Sequence, residues 1–292
     1  MQWRPTSDIF TFQVTAKLKD NFSKREVLSN IASTFDPLGL IGSKITSAKI
    51  FLQRIRLQKL NCNDTVPPND LNDWLKFLQD LQAVNKLEIT RYAIITIPVT
   101  IDLLCFCDVL DKAYGAVLYL CCKNESGEVQ TCILCRKSIV CPIKATTTPH
   151  LELSAALLLV RLVSKVISII QVPINHIYMW TDSNIALAWI KIPHEKLKTY
   201  VSNPVKIINT LCPNYDWRHA NSTDNPADLI SMDEDNILRV GGCLQKTRIT
   251  PDENYPKLLP AHLHVCPQTL LHLVRQEFWP VGGRNLARKI VN

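Results

Sequence analysis

The amino-acid sequence predicts an α/β fold in which helices flank a mixed five-stranded sheet. Three runs rich in β-branched and aromatic residues follow one another between residues 92 and 140, joined by short turns. A long apolar helical run comes next, and two further strand-like runs then alternate with shorter helices. The order β-β-β-α-β-α-α-β-α describes a mixed sheet with helices packed on it.

The first 90 residues predict a separate, mostly helical module. Residues 1–15 alternate around Phe10, Phe12 and Val14, as expected of a short strand or hairpin. Helices are then predicted over FSKREVLSNIASTF, over residues 41–60 and after Pro67-Pro68. The second of these helices carries one apolar stripe, made by Ala48, Phe51, Leu52 and Ile55.

The predicted sheet domain occupies residues 91–232. Thr148 is expected to cap its long helix, with Pro149 as the first helical residue and an end near Ile170. The strands are predicted over YAIITIPVTIDLLCFCD, AYGAVLYLCC, VQTCILCRKSIV, HIYMWTD and YDWRHA. Residues 233–292 form a third, small helical segment whose apolar stripe consists of Leu270, Leu273, Val274 and Phe278.

Cysteine usage and hydropathy predict an intracellular protein, cytoplasmic or nuclear, that is neither secreted nor membrane-spanning. The chain has 11 cysteines, an odd number, and its N-terminus carries no secretory signal, so a disulfide framework is not expected. Cys132 and Cys135 form a CxxC without a second CxxC at zinc-finger spacing, which favours ordinary strand residues over a zinc site. The longest apolar run is interrupted by Arg161 and Lys165, as in a buried helix.

Positive charge is concentrated at the N-terminal end of the chain. The formal net charge is +7, and residues 1–60 carry ten Lys and Arg against four acids, a local +6. Such a surface favours polyanions, although a merely solvated face explains it equally well. The candidate contacts to a nucleic-acid backbone are Lys44, Lys49, Arg56 and Lys59.

Four acidic residues stand at element boundaries of the predicted sheet domain. Asp108 and Asp182 end strand-like runs, whereas Glu152 and Asp228 lie in the first turns of predicted helices. Acids at one edge of a sheet can converge, and convergent carboxylates bind hard divalent cations. Two such cations about 4 Å apart can clamp both oxygens of a phosphodiester during hydrolysis. His219 follows the fifth strand and is a candidate for moving a proton to the leaving oxygen.

Four of these segments closely resemble the ribonuclease H region of BEL/Pao-type retrotransposon Pol polyproteins. They are FCDVLDKAYGAVLYL, HLELSAALLL, WTDSNIALAWI and WRHANSTDNPADLIS. The resemblance implies a ribonuclease H-like fold, two Mg²⁺ ions, and hydrolysis of the RNA strand of RNA–DNA hybrids. By motif position, it places the family's metal-binding and catalytic carboxylates on Asp108, Glu152, Asp182 and Asp228, and the family's loop histidine on His219.

The flanking segments resemble other parts of the same polyproteins. FSKREVLSNIASTFDPLGLIGSKITSAKIFLQRI is similar to the connection that follows the reverse-transcriptase palm, and WPVGGRNLARKIV to the zinc-binding module of the integrase. The region also resembles the one named for a Pao-type aspartic peptidase. The chain lacks the YxDD polymerase motif and the Asp-Thr/Ser-Gly loop of aspartic peptidases. The integrase carboxylates are missing too, and His262 and His264 stand too close together for the usual zinc site, so zinc is not expected.

Some positions depart from the family pattern. Val109-Leu110 stands where a small pair usually follows the first Asp, and His150 stands where an Arg is common. Cys266 replaces a glycine after the integrase-like histidine. Two interpretations therefore remain open: a surviving ribonuclease H-type endonuclease, or a catalytically silent retroelement relic that binds nucleic acid or serves only a structural role.

Overall fold

The computed structural model describes residues 1–221 and 225–227. Asp228 and the predicted 233–292 segment, with its integrase-like zinc-binding residues, lie outside that part of the chain. No helix of the described part is long and apolar enough to cross a membrane.

A small antiparallel sheet begins the N-terminal module. The predicted hairpin is present as β1 (Gln2–Arg4) and β2 (Ile9–Thr11). A third strand, β3 (Glu88–Thr90), which the sequence did not predict, pairs with β2. The Arg91 guanidinium donates to both carboxylate oxygens of Asp8 at 2.5 and 3.0 Å, which ties the end of β3 to the hairpin.

Three helices follow the hairpin, as predicted: α1 (Lys24–Ser33), α2 (Gly42–Leu57) and α3 (Pro68–Gln82). Helix α1 begins at a capping box, because the Ser23 hydroxyl accepts from the Glu26 backbone N–H while the Glu26 carboxylate accepts from the Ser23 N–H. The helices meet around Trp74, which is fully buried and stacks on Phe51 with 5.1 Å between ring centroids.

The predicted mixed five-stranded sheet is confirmed. Its strands are β4 (Pro98–Leu110), β5 (Ala113–Asn124), β6 (Val129–Val140), β7 (His176–Thr181) and β8 (Asp216–His219). Their order across the sheet is β6-β5-β4-β7-β8. Strands β6, β5 and β4 pair in antiparallel fashion, whereas β4–β7 and β7–β8 are parallel.

One face of this sheet is covered by α4 (Thr148–Ile167) and α6 (Thr199–Leu211), with α5 (Asn184–Lys191) between them in the chain. Leu103, Cys105 and Cys107 of β4 face this helical layer and are fully buried. Phe106 points to the opposite face and stacks on Trp180 at 4.7 Å, as strand alternation requires.

The start of α4 differs by one residue from the prediction. The residue that caps the helix is Thr147 rather than Thr148, because Thr148 already has helical geometry. Glu152 is therefore the fifth helical residue and lies in the second turn, not the first. The helix also ends at Ile167, three residues before the predicted end.

Candidate active site

Asp108 and Asp182 lie at the same level on neighbouring parallel strands. Strands β4 and β7 pair Phe106 with Trp180, and each acid lies two residues beyond that pair. Asp182 follows the last residue of β7, as predicted, whereas β4 continues for two residues beyond Asp108. Only 7% of the Asp108 surface is exposed. The sheet register alone therefore brings two of the predicted acids side by side.

Glu152 reaches this edge of the sheet from α4. The hydroxyl of Ser183, the residue after Asp182, donates a short hydrogen bond to the Glu152 carboxylate. The same hydroxyl oxygen caps α5 by accepting from the Ala186 N–H at 3.0 Å. Sequence reasoning missed Ser183, although a serine directly before a helical run is a recognisable N-cap signal.

Asp108, Glu152 and Asp182 all act electrostatically on one buried thiol, that of Cys107. Burial raises the pKa of Cys107 far above its ordinary value, and the three carboxylates raise it further. Burial disfavours the thiolate, and nearby negative charge disfavours it again. The three acids thus share one neighbourhood around the Cys107 thiol.

His219 ends β8 and approaches the backbone of Asp182. Its Nε2 lies 3.0 Å from the Asp182 carbonyl oxygen. A carbonyl can only accept, so Nε2 is the nitrogen that donates in this contact. The predicted proton-transfer role of His219 stays a prediction.

Asn225 anchors the chain next to Asp108 and was not singled out from the sequence for this role. Its amide nitrogen donates to the Cys107 carbonyl at 3.0 Å, and its amide oxygen accepts from the Ala227 N–H at 3.1 Å. Asn225 is only 4% exposed, so both bonds are shielded from water. The turn that precedes Asp228 is therefore fixed against β4, while Asp228 itself lies outside the described residues.

Carboxylate oxygens are the ligands that hard divalent cations take, so the donor chemistry fits Mg²⁺. Within residues 1–221 and 225–227, however, no three His, Cys, Asp or Glu side chains are grouped so as to hold a metal ion. One oxygen of Glu152 is occupied by Ser183. The described residues thus gather the donors in one neighbourhood without completing a metal site.

The predicted nucleic-acid contacts divide into one buried lysine and three exposed residues. Lys44 is 2% exposed, and its ammonium lies 3.5 Å from the Asp80 carboxylate. Because the Lys44 ammonium is buried inside the helical module beside Asp80, it cannot reach a phosphate, and the predicted contact is wrong for Lys44. Lys49, Arg56 and Lys59 are exposed on α2 and just after it, and their predicted contacts stay predictions.

A cluster of three rings at the start of α4 was not predicted. His150, two residues before Glu152, stacks on Trp189 at 5.6 Å and meets Tyr200 edge-on at 4.6 Å. The Thr147 hydroxyl lies 2.8 Å from His150 Nδ1 and fixes the ring. The Tyr200 side of the cluster is open, since Tyr200 is 61% exposed.

The family model described as "Pao retrotransposon-like RNaseH-like domain" matches residues 23–183. Among solved structures, RNase H1 from the halophilic archaeon Halobacterium salinarum NRC-1 is 12% identical over 42% of this chain and 87% of that one, with a TM-score of 0.26. The foamy viral protease-reverse transcriptase in complex with dsDNA is 13% identical over 68% of this chain and 41% of that one, with a TM-score of 0.37. None of the curated proteins is a match.

Proposed function

Because the family model matches residues 23–183, the chain belongs to the Pao retrotransposon-like RNaseH-like domain family, and we propose that its sheet domain hydrolyses the RNA strand of RNA–DNA hybrids with the help of Mg²⁺. The observation that carries the proposal is the placement of Asp108 and Asp182 side by side, with Glu152 beside them through Ser183. Three carboxylates in one neighbourhood repel one another unless a cation offsets their charge.

Each acid has a stated part in this proposal. Asp108, Glu152, Asp182 and Asp228 would supply the oxygen ligands. When bound, the two Mg²⁺ ions would supply an activated water and neutralise the charge that develops on the phosphate. His219 would keep Nε2 on the Asp182 carbonyl and, in its doubly protonated form, would donate the Nδ1 proton to the leaving 3′ oxygen.

The exposed cations would hold the hybrid without reading its sequence. Lys49, Arg56 and Lys59 supply charge that attracts phosphates of any sequence. A second set of exposed lysines, Lys191, Lys196 and Lys198, lies in the segment that joins Trp189 to Tyr200. Since aromatic rings stack on bases and lysines attract phosphates, the ring cluster of His150, Trp189 and Tyr200 with these lysines would also contact the strand.

The test is cleavage of a hybrid that carries different labels on its RNA and DNA strands, with Mg²⁺ or with a chelator. Wild type should cut the RNA strand only with Mg²⁺, and Asp182→Asn should cut neither strand. Asp216→Asn is the matched control, because this exposed acid on the adjacent strand pairs with Arg218 rather than with the acids.

Cutting in the presence of chelator, or equal cutting by Asp182→Asn, would exclude the proposed chemistry. Binding of the hybrid without any cutting by wild type would instead indicate a catalytically silent nucleic-acid-binding module.

A further inference from the structure

We infer that Ser183 is a positioning residue that holds the Glu152 carboxylate next to Asp182; its meaning for catalysis rests on the proposed function. The Ser183 hydroxyl donates to Glu152, and its oxygen accepts from the Ala186 N–H at 3.0 Å. A hydroxyl has one proton, so these two bonds fix its orientation.

The environment of Ser183 makes this bond hard to replace. Ser183 is 4% exposed, and its own N–H donates to the Thr181 hydroxyl at 3.3 Å. Water therefore has little access to compete for the hydroxyl. A hydrogen bond to an ionised acceptor is also stronger than one between neutral groups.

The bond joins two parts of the site that would otherwise repel. Glu152 comes from α4, whereas Ser183 directly follows Asp182, whose carbonyl is held by His219 at 3.0 Å. Two carboxylates cannot approach each other favourably without a cation. The Ser183 hydroxyl is a neutral donor, so it can hold the Glu152 carboxylate near Asp182 without adding a further charge. The relative position of the two acids thus depends on one side chain that is not itself an acid.

A serine whose hydroxyl bonds stay within one helix start behaves differently, and the chain contains one. Ser23 caps α1, and its hydroxyl bonds with Glu26, three residues further on at the same helix start. Ser183 instead reaches an acid 31 residues away on another helix. Ser23→Ala is therefore the matched control for loss of a cap together with a local bond to a carboxylate.

The first test uses the protein without metal. Ser183→Ala, Glu152→Ala and the double variant form a thermodynamic cycle in urea unfolding. The coupling between the two changes should alter the unfolding equilibrium constant by roughly tenfold, as expected for a hydrogen bond to a charged group. Ser23→Ala combined with Glu152→Ala should be additive. Additivity for Ser183 and Glu152 would overturn the inference.

The second test measures Mg²⁺ affinity by the rise of the melting temperature during a titration. Ser183→Ala should need roughly 10–100 times more Mg²⁺ than wild type for the same rise in melting temperature, because groups that orient a ligand tune its metal affinity. Ser183→Thr keeps the hydroxyl and should restore most of the affinity, and Ser23→Ala should titrate like wild type. The same rise as wild type at every Mg²⁺ concentration for Ser183→Ala would also overturn the inference.

The two tests separate the inference from the proposed function. A wild type that does not respond to Mg²⁺ would contradict metal-dependent hydrolysis. The cycle without metal would still decide whether Ser183 holds Glu152.

Discussion

The carbonyl oxygen of Leu38 accepts a hydrogen bond of 2.8 Å from the backbone N–H of Arg136. Arg136 lies on β6, the strand that ends the five-stranded sheet on one side. Nearby, Gln53 of α2 donates to the Cys141 carbonyl at 2.8 Å. An uncovered edge strand can pair with other chains, so these contacts protect the sheet. The helical module and the sheet domain therefore share an interface across the predicted boundary at residue 90.

Gly39 should be indispensable at this interface. Its φ is +72°, and a Cβ there would lie 2.0 Å from the Arg136 carbonyl oxygen. The contact is with backbone, which cannot move aside as a side chain could. Gly39→Ala should therefore lower the free energy of unfolding by ~2 kcal/mol or more, since the left-handed conformation alone costs about 1–2 kcal/mol. Urea unfolding measures the loss.

Gly42→Ala provides the control for Gly39. A Cβ at Gly42 would lie 3.0 Å from Cδ of the Arg136 side chain, so that side chain need shift by only a few tenths of an ångström, and Gly42 is already helical. Alanine favours helix over glycine by about 1 kcal/mol, which offsets the contact. Similar losses for both variants would mean that the close approach at Gly39 is not the cause.

The sequence predicted the sheet because its strands are long and strongly patterned, but it could not predict contacts that depend on packing. The three-residue strand β3 is too short to produce a pattern. The Ser183–Glu152 bond joins two helices and leaves no periodic trace. The burial of Lys44, in contrast, could have been predicted from helical spacing. Lys44 lies four residues before Ala48 and seven before Phe51, on the apolar stripe of α2.

The exposed cations of α2 should govern affinity for nucleic acid. The double variant Lys49→Ala/Arg56→Ala should weaken binding of any hybrid and reduce the salt slope of log Kd by about 0.9 for each lost phosphate contact. The physical reason is that each contact releases a condensed counterion. Binding measured over a salt series gives the slope.

Lys44→Met is the matched control, because Lys44 faces Asp80 in the interior. This variant should keep the affinity and salt slope of wild type. If the double variant also binds like wild type, the positive charge on α2 is only a solvated face.

Lys137 on β6 should make stability increase with pH. Burial, together with the nearby charge of Lys49, lowers the pKa of Lys137 to about 8. Below pH 8 the amine is charged in both states, and the folded state bears the desolvation cost. Between about pH 8 and the unfolded pKa near 10.4, the amine is neutral in the folded state and charged in the unfolded state. The free energy of unfolding therefore increases with pH in this range.

Lys137→Met should therefore be more stable than wild type at pH 7, and the difference should shrink as pH rises from 8 to 10. Burial raises the pKa of Cys122 and of Cys135 to about 12, so unfolded thiols ionise first and reduce stability in the same range. Both proteins share that effect, and their difference isolates Lys137. Urea unfolding at several pH values measures it, and a constant difference would contradict the assignment.

Asp182→Asn should change the response to Mg²⁺ without disturbing the fold. Asp182 lies beside Asp108 by strand register, and both raise the pKa of the same Cys107 thiol. Removing one of the crowded charges relieves repulsion, so the variant should melt at the same temperature as wild type, or higher, without metal. A bound cation stabilises the folded state according to its affinity, so the variant should gain less from Mg²⁺.

Melting curves of both proteins across a Mg²⁺ titration decide the point, with Asp216→Asn as the control for loss of a carboxylate on the neighbouring strand. Equal Mg²⁺ shifts in wild type and Asp182→Asn would mean that Asp182 is no metal ligand, because a lost ligand must weaken the affinity that produces the shift.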